Sequence, residues 1–269
     1  MIFYYTDIVM QIIKISDIKK YTIALYREIN SELKLIGSGI LVLFKGKYYL
    51  ISAHHVFDSE KENERIQNDS DERDIPHDDL DSIFAKGKNE FFHINEYCKG
   101  VVWNANFDVE SKQHNIDEDT EWCACILSGE MVRHFTEIGN CFYKIEENVI
   151  LESYPIKTTI VSGYPKYAQK EKQEEYRSYR SEIINNDNSY KKDLVRVFFD
   201  NDNAFNYEKE RYVKLPPKGI EGMSGGGIWG KTDDGYILIG IIIKQDPIER
   251  YIEGYRLDKI IEESIFYTY

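Results

Sequence analysis

Residues 219–230 read G-I-E-G-M-S-G-G-G-I-W-G, and the rest of the chain can be ordered around this stretch. Its glycines surround one hydroxyl, Ser224, and a continuous apolar run, residues 236–243, follows a few positions later. Glycine loses more chain entropy on ordering than any other residue, so such density marks a backbone that needs unusual dihedrals or very close approach. Three motifs overlap here, and each implies a different chemistry.

Residues 225–232, G-G-G-I-W-G-K-T, match the phosphate-cradling pattern G-x-x-x-x-G-K-[ST]. A phosphate loop needs a buried strand before it and a helix N-terminus after it. Here P-P-K-G-I-E-G-M-S stands upstream, and Asp233-Asp234-Gly235 turns at once into a β-branched run. A nucleotide binder is therefore the least favoured alternative, and Lys231-Thr232 reads as the start of a surface hairpin. Residues 222–226 also satisfy G-x-S-x-G, the nucleophile elbow, whose histidine follows its serine in the chain. All six histidines (His54, His55, His77, His93, His114 and His134) precede Ser224, and this order excludes the elbow.

Working outward, short β-rich segments recur at 22–27, 39–44 and 47–52, the last two joined by a compact Lys45-Gly46 hairpin turn. Gly37 and Gly39 flank Ser38 and suggest a bend or bulge, and residues 47–52 run straight into Ala53-His54-His55-Val56. Further strand-like segments fall at 83–84, 91–94, 101–103, 122–127, 149–151, 158–163, 194–199 and 212–215. Residues 58–82 are acidic and almost without apolar side chains, and residues 166–192 are charged and rich in Tyr and Asn. Both read as insertions, the second part helical, because neither buries enough surface to offset its ordering entropy. In residues 257–265, Leu257, Ile260, Ile261 and Ile265 share one helical face. The sum is an all-β chain of barrel or sandwich type with loop insertions and a C-terminal helix.

Composition bounds the function. With 269 residues and 42% hydrophobic content, the chain can bury a large core. Its 34 Lys+Arg against 47 Asp+Glu give a net charge of -13, which argues against a nucleic-acid partner. The four cysteines (Cys98, Cys123, Cys125 and Cys141) show no C-x-x-C spacing, so neither a metal site nor a disulfide framework is expected. The first residues lack a basic start and are interrupted by Asp7, and no stretch is long enough to span a membrane. A soluble cytoplasmic protein with no membrane partner is the expectation.

The order histidine, acid, serine remains. Gly222-Met223-Ser224-Gly225-Gly226 resembles the G-x-S-G-G nucleophile loop of the trypsin-like serine proteases, in a bacterial-type intracellular form. Ser52-Ala53-His54-His55-Val56 is similar to that family's T-A-A-H-V segment, and Gly37-Ser38-Gly39 to the opening upstream of it. Residues 240–243 resemble the strand that lines the family's specificity pocket, and the closing helix agrees as well. The resemblance covers most of residues 20–265. It implies two six-stranded antiparallel β-barrels of chymotrypsin-like type in a single peptidase domain spanning 1–269. The N-terminal barrel is expected at about 20–135, the C-terminal barrel at about 145–255 and the helix at about 256–266.

By that resemblance, Ser224 is the nucleophile and His55 its general base, with the backbone N–H groups of Gly222 and Ser224 forming an oxyanion hole. His54 is expected to point away from its neighbour in an extended chain. The family's strand D-[ILW]-A-x-[LI]-x-L corresponds to E-W-C-A-C-I-L at 121–127, which puts Glu121 at the acid position. Asp119 and Asp117 stand nearby as alternatives. Met223 occupies the position of the aspartate that digestive members use for activation, so no zymogen logic carries over. Lys244-Gln245 replace the usual aromatic and glycine, and Lys218 falls where the pocket floor is expected, which suggests a preference for acidic side chains. The expected activity is a serine endopeptidase without cofactor, acting on protein or peptide and open to a regulatory protein partner. A protease-fold scaffold that has lost turnover is the alternative from another class.

Overall fold

The computed structural model describes residues 10–29, 31–57, 83–86, 91–94, 98–102, 122–145, 151, 154–168, 175–183, 193–216 and 219–263. The N-terminal half forms β1 (Thr22–Ile29), β2 (Glu32–Phe44), β3 (Lys47–Ala53), β4 (Ile83–Lys86), β5 (Phe91–His93), β6 (Cys98–Val102), β7 (Trp122–Leu127) and β8 (Tyr143–Ile145). They make one sheet in the order β5-β4-β1-β2-β3-β7-β6, with β8 added in parallel to β2. No closing pair joins β5 to β6 among the described residues.

The C-terminal half forms β9 (Thr158–Gly163), β10 (Arg177–Ile183), β11 (Leu194–Phe198), β12 (Ala204–Asn206), β13 (Arg211–Val213), β14 (Gly227–Lys231), β15 (Tyr236–Asp246) and β16 (Tyr251–Arg256). Here the sheet closes on itself. The order β11-β16-β15-β14-β9-β10 returns to β11, giving a six-stranded antiparallel barrel from which β12 and β13 hang. Closure removes the exposed edges that an open sheet would leave. Together with the helix Leu257–Glu263, this is the all-β architecture with a closing helix that the sequence implied, with one of the two expected six-stranded barrels closed and the other half an eight-stranded sheet that does not close among the described residues.

Several elements differ from the sequence reading. β2 begins at Glu32 rather than near Gly39, running through the glycine pair with a register shift opposite Leu25 and Tyr26. Residues 54–57 are not extended. His54–Phe57 forms a single helical turn, α1, so the two histidines diverge around a helix and both are buried. A further helix, α2 (Gly129–Glu137), was not expected. Ser128 caps it, its Oγ accepting from the Met131 N–H at 3.2 Å, and Met131 and Phe135 bury one face at i, i+4 spacing. Within the supposed insertion at 166–192, residues 177–183 are strand β10, a stave of the closed barrel. The C-terminal helix, α3, is Leu257–Glu263. The acidic stretch at 58–82 lies outside the described residues.

The two sheets are fastened by aromatic side chains. Tyr143 packs edge-on against Tyr21 (5.8 Å between ring centroids) and Trp229 (5.4 Å), and Trp122 meets Tyr255 at 6.2 Å. The Tyr143 hydroxyl accepts from the Leu238 N–H and donates to the Gln11 carbonyl, so this buried phenol is satisfied while bridging β8 to β15. Residues 236–243 of β15 are buried on both faces, packing within the barrel and against β3. That double burial explains their unbroken apolar run. Cys123 and Cys125 are buried in β7, where the Cys123 thiol reaches the Ser52 carbonyl at 3.8 Å, and Cys141 is exposed. Among the described residues no helix is long and apolar enough to cross a membrane.

Candidate active site

The glycine-rich loop lies between the closed barrel and β2. Its first fixed point is Gly222, at φ +91°, where a Cβ would come within 2.7 Å of the Tyr164 carbonyl oxygen. The second is Gly225, at φ +83°, where a Cβ would meet the Ser38 carbonyl oxygen and the Ser52 Oγ, both at 2.0 Å. Left-handed dihedrals and a carbonyl oxygen pressed against each Cα leave room for glycine alone at these two positions. The sequence density of glycine is thereby explained without a bound phosphate. Residues 227–231, the second half of the phosphate-loop match, are strand β14, and β15 follows the 232–235 turn. No helix N-terminus follows the loop, and the nucleotide alternative is set aside on this geometry.

The loop is pinned by hydrogen bonds to both sheets. The Ser38 N–H donates to the Ser224 carbonyl at 2.7 Å, and the Ser38 Oγ donates to the Gly222 carbonyl at 2.9 Å while accepting from the Tyr164 N–H at 2.9 Å. The Ser52 Oγ donates to the Ser38 carbonyl at 2.7 Å. On the barrel side, the Gly225 N–H donates to the Ile242 carbonyl (2.7 Å), and the Ile242 N–H donates back to the Gly226 carbonyl (2.8 Å). Ser38 and Ser52 are fully buried, so these bonds are shielded from competing water.

Around Ser224, used and unused donors stand side by side. The Met223 N–H donates to the Ile220 carbonyl and the Gly226 N–H to the Met223 carbonyl, each at 2.8 Å. The N–H groups of Gly222 and Ser224 donate to nothing among the described residues. Their orientation is nonetheless fixed through the carbonyls of the same peptides. The Glu221 carbonyl accepts from the Lys166 N–H at 2.7 Å, and every described peptide is trans, so the Gly222 N–H faces the opposite way. The Met223 carbonyl, held by Gly226, does the same for the Ser224 N–H. The Lys166 side chain adds an ion pair to Glu221 at 3.0 Å, of modest weight because both groups are partly solvated.

His55 lies in α1, directly after β3, and is buried. Gly37 joins this turn to the serine loop. A Cβ on Gly37 would meet Val56 Cγ2 at 2.6 Å and the Ser224 carbonyl oxygen at 3.1 Å, so the residue after His55 and the backbone of Ser224 adjoin one point. The buried Arg27 guanidinium donates to the Val56 carbonyl at 3.2 Å and steadies the turn. The first residue of β7, Trp122, stands opposite Ala53, which precedes His54. Glu121, Asp119 and Asp117 lie outside the described residues, as does Lys218.

Sequence reasoning missed the work of Ser38 and Lys166. A hydroxyl between two glycines was the visible signal for the first, and nothing local marked the second. Lys244 and Gln245 have partners of their own. The Lys244 Nζ meets the Glu253 carboxylate at 2.5 Å, and Gln245 donates to the Asn201 side chain at 3.0 Å, so both side chains are engaged within the barrel. No cluster of three His, Cys, Asp or Glu groups suited to a metal ion occurs among the described residues.

No family model matches the chain, and no curated protein matches it. Among solved structures, a thermostable serine protease, AL20, from an extremophilic microorganism aligns with 88% of this chain and 91% of its own, at 12% identity and a TM-score of 0.49. So low an identity leaves the chemistry to be argued from this chain's own residues.

Proposed function

We propose that the chain is a serine endopeptidase in which Ser224 attacks the peptide carbonyl. His55 takes the Ser224 hydroxyl proton as the bond forms and returns it to the departing amine. Glu121 accepts the other imidazole N–H and holds the tautomer, with Asp119 the next candidate. The N–H groups of Gly222 and Ser224 receive the oxygen that becomes negative in the tetrahedral intermediate. Water then repeats the sequence on the acyl-enzyme, and Ser224 regains its proton from His55. No metal or organic cofactor is required by these steps.

One observation carries this reading: the N–H groups on either side of Met223, those of Gly222 and Ser224, are both unused among the described residues, and both peptides are held from behind by other hydrogen bonds. Donors fixed in advance stabilise developing charge without reorganising at the moment of reaction, and one such donor contributes about 3–4 kcal/mol. A loop folded only for stability would use these N–H groups internally, because unmet backbone donors cost free energy.

A phosphonate probe selective for activated serines tests the proposal. The wild-type protein is expected to be labelled, and Ser224→Ala and His55→Ala are expected to be spared. Absence of labelling in the wild type, while a control protease reacts, would refute the enzymatic reading in favour of a scaffold. Glu121→Gln against Asp119→Asn, compared by labelling rate, identifies the acid.

A further inference from the structure

One cation lies where the fold calls for an apolar side chain. Successive residues of a strand face opposite ways, and β1 divides cleanly. Ile23 and Leu25 join the main core, whereas Ala24 and Tyr26 join a smaller cluster with Leu35. Arg27 continues the first series, between Leu25 and the buried Ile29, and is only 5% exposed. Apolar residues of similar volume often replace a buried charge at no loss of stability, so packing alone does not account for an arginine here.

What Arg27 reaches is the histidine turn. Its Nη2 donates to the Val56 carbonyl at 3.2 Å, and Val56 directly follows His55. A helical segment as short as α1 has little stability of its own, and its last carbonyls lack partners within the turn. Its shape is therefore set by what holds its two ends. It enters from Ala53, which is paired with Trp122 in the β3–β7 ladder, and Arg27 takes the carbonyl at the other end. Gly37, opposite Leu25 in the β1–β2 register, adjoins the side towards the serine loop. A Cβ there would meet both Val56 Cγ2 and the Ser224 carbonyl oxygen. Neighbouring strands thus brace the turn from two directions.

We propose that Arg27 is a positioning residue for His55. By fixing the Val56 carbonyl it keeps the turn, and with it the imidazole, aligned on the Ser224 hydroxyl. The inference rests on the proteolytic reading for the role of His55. A charged donor binds a carbonyl more strongly than a neutral one, and the planar guanidinium fork also fixes its direction.

The test compares the full chain with Arg27→Met by phosphonate labelling over a range of probe concentrations, with circular dichroism showing that each protein is folded. The limiting labelling rate of Arg27→Met should fall about tenfold to a hundredfold, because alignment is lost, while the half-saturating probe concentration changes by no more than roughly twofold. Arg27→Lys, which still brings a cation towards the carbonyl, should recover part of the rate. A wild-type rate in Arg27→Met, or a loss carried mainly by the half-saturating concentration, would overturn the proposal. If Arg27→Met does not fold, Arg27→Gln, polar but too short to reach the carbonyl, takes its place under the same criteria. Amide hydrogen exchange separates the inference from the reading beneath it. Exchange over residues 54–57 should quicken roughly tenfold in the variant while that of β14 and β15 is unchanged. A wild-type protein that ignores the probe, with exchange still quickened in the variant, refutes the catalytic reading alone. One that is labelled, with exchange over residues 54–57 unchanged in the variant, refutes the positioning role alone.

Discussion

Ser38 shows how one buried hydroxyl can order the glycine-rich loop from behind. Its Oγ donates to the Gly222 carbonyl and accepts from the Tyr164 N–H, and its N–H holds the Ser224 carbonyl. Ser38→Ala keeps the backbone bond and removes the other two, leaving a buried donor and a buried acceptor unmet, for about 1–3 kcal/mol of lost stability. The second consequence falls on the Gly222–Met223 peptide between the two donors, which then keeps only the Met223 N–H bond to the Ile220 carbonyl, while the Gly222 N–H stays held from behind by Lys166 on the Glu221 carbonyl. Because the effect on the two donors is indirect, labelling of Ser224 by the phosphonate should slow by roughly threefold to tenfold, well short of the loss from deleting an oxyanion donor outright. A kinetic experiment well below the melting temperature separates the two effects. If the rate stays at the wild-type value while stability falls, Ser38 is structural only.

At the scale of elements, the sequence was legible where side-chain period and burial coincide. β7 and β9 were read with their observed ends, Trp122–Leu127 and Thr158–Gly163, because each is a compact run of β-branched and other buried residues. β10 was missed because R-S-Y-R-S-E-I carries one large buried apolar side chain, Tyr179, among polar ones, and the hydroxyls of Ser178 and Ser181 find partners in Glu208 and Thr159 that no local pattern shows. The helical turn at His54–Phe57 was missed because four residues give no period to read. In the site, the motif found the loop and the histidine turn, but the bonds that orient them come from partners far away in sequence, such as Lys166 on Glu221. The same holds for Glu253, buried in β16 and flanked by Arg196 of β11 at 2.9 Å and Lys244 of β15 at 2.5 Å. Arg196 also lies over the Tyr251 ring at 4.1 Å. Arg196→Met leaves the buried carboxylate to the half-solvated Lys244, and about 2–3 kcal/mol should be lost, below the full cost of an orphaned buried charge. Adding Glu253→Gln should recover part of this loss in urea unfolding. Strictly additive losses would show that the pair is not coupled.

For the whole molecule, the tyrosines that join and fill the two sheets also set its limit in alkali. Burial pushes the phenols of Tyr143, Tyr176 and Tyr179 well above their ordinary value of 10.0, and burial together with the neighbouring Tyr207 pushes Tyr236 up to about 12. Below pH 10 both folded and unfolded chains keep these protons, and stability is at its full value. Above it the unfolded chain releases protons that the folded chain retains, so stability falls as pH rises, and for Tyr236 the loss runs from 10.0 to about 12. Each such group removes up to about 1.4 kcal/mol per pH unit, and several act together because the same rings lie in both sheets. The urea midpoint should therefore be level from about pH 8 to 9.5 and fall steeply above 10. Tyr236→Phe should lessen that slope by one group's share while leaving the neutral-pH midpoint less affected than Tyr143→Phe, which forfeits the bonds to Leu238 and Gln11. A midpoint that stays level to about pH 11 would mean that these phenols titrate in the folded protein as they do in water, and that the aromatic seam between the sheets is open to solvent.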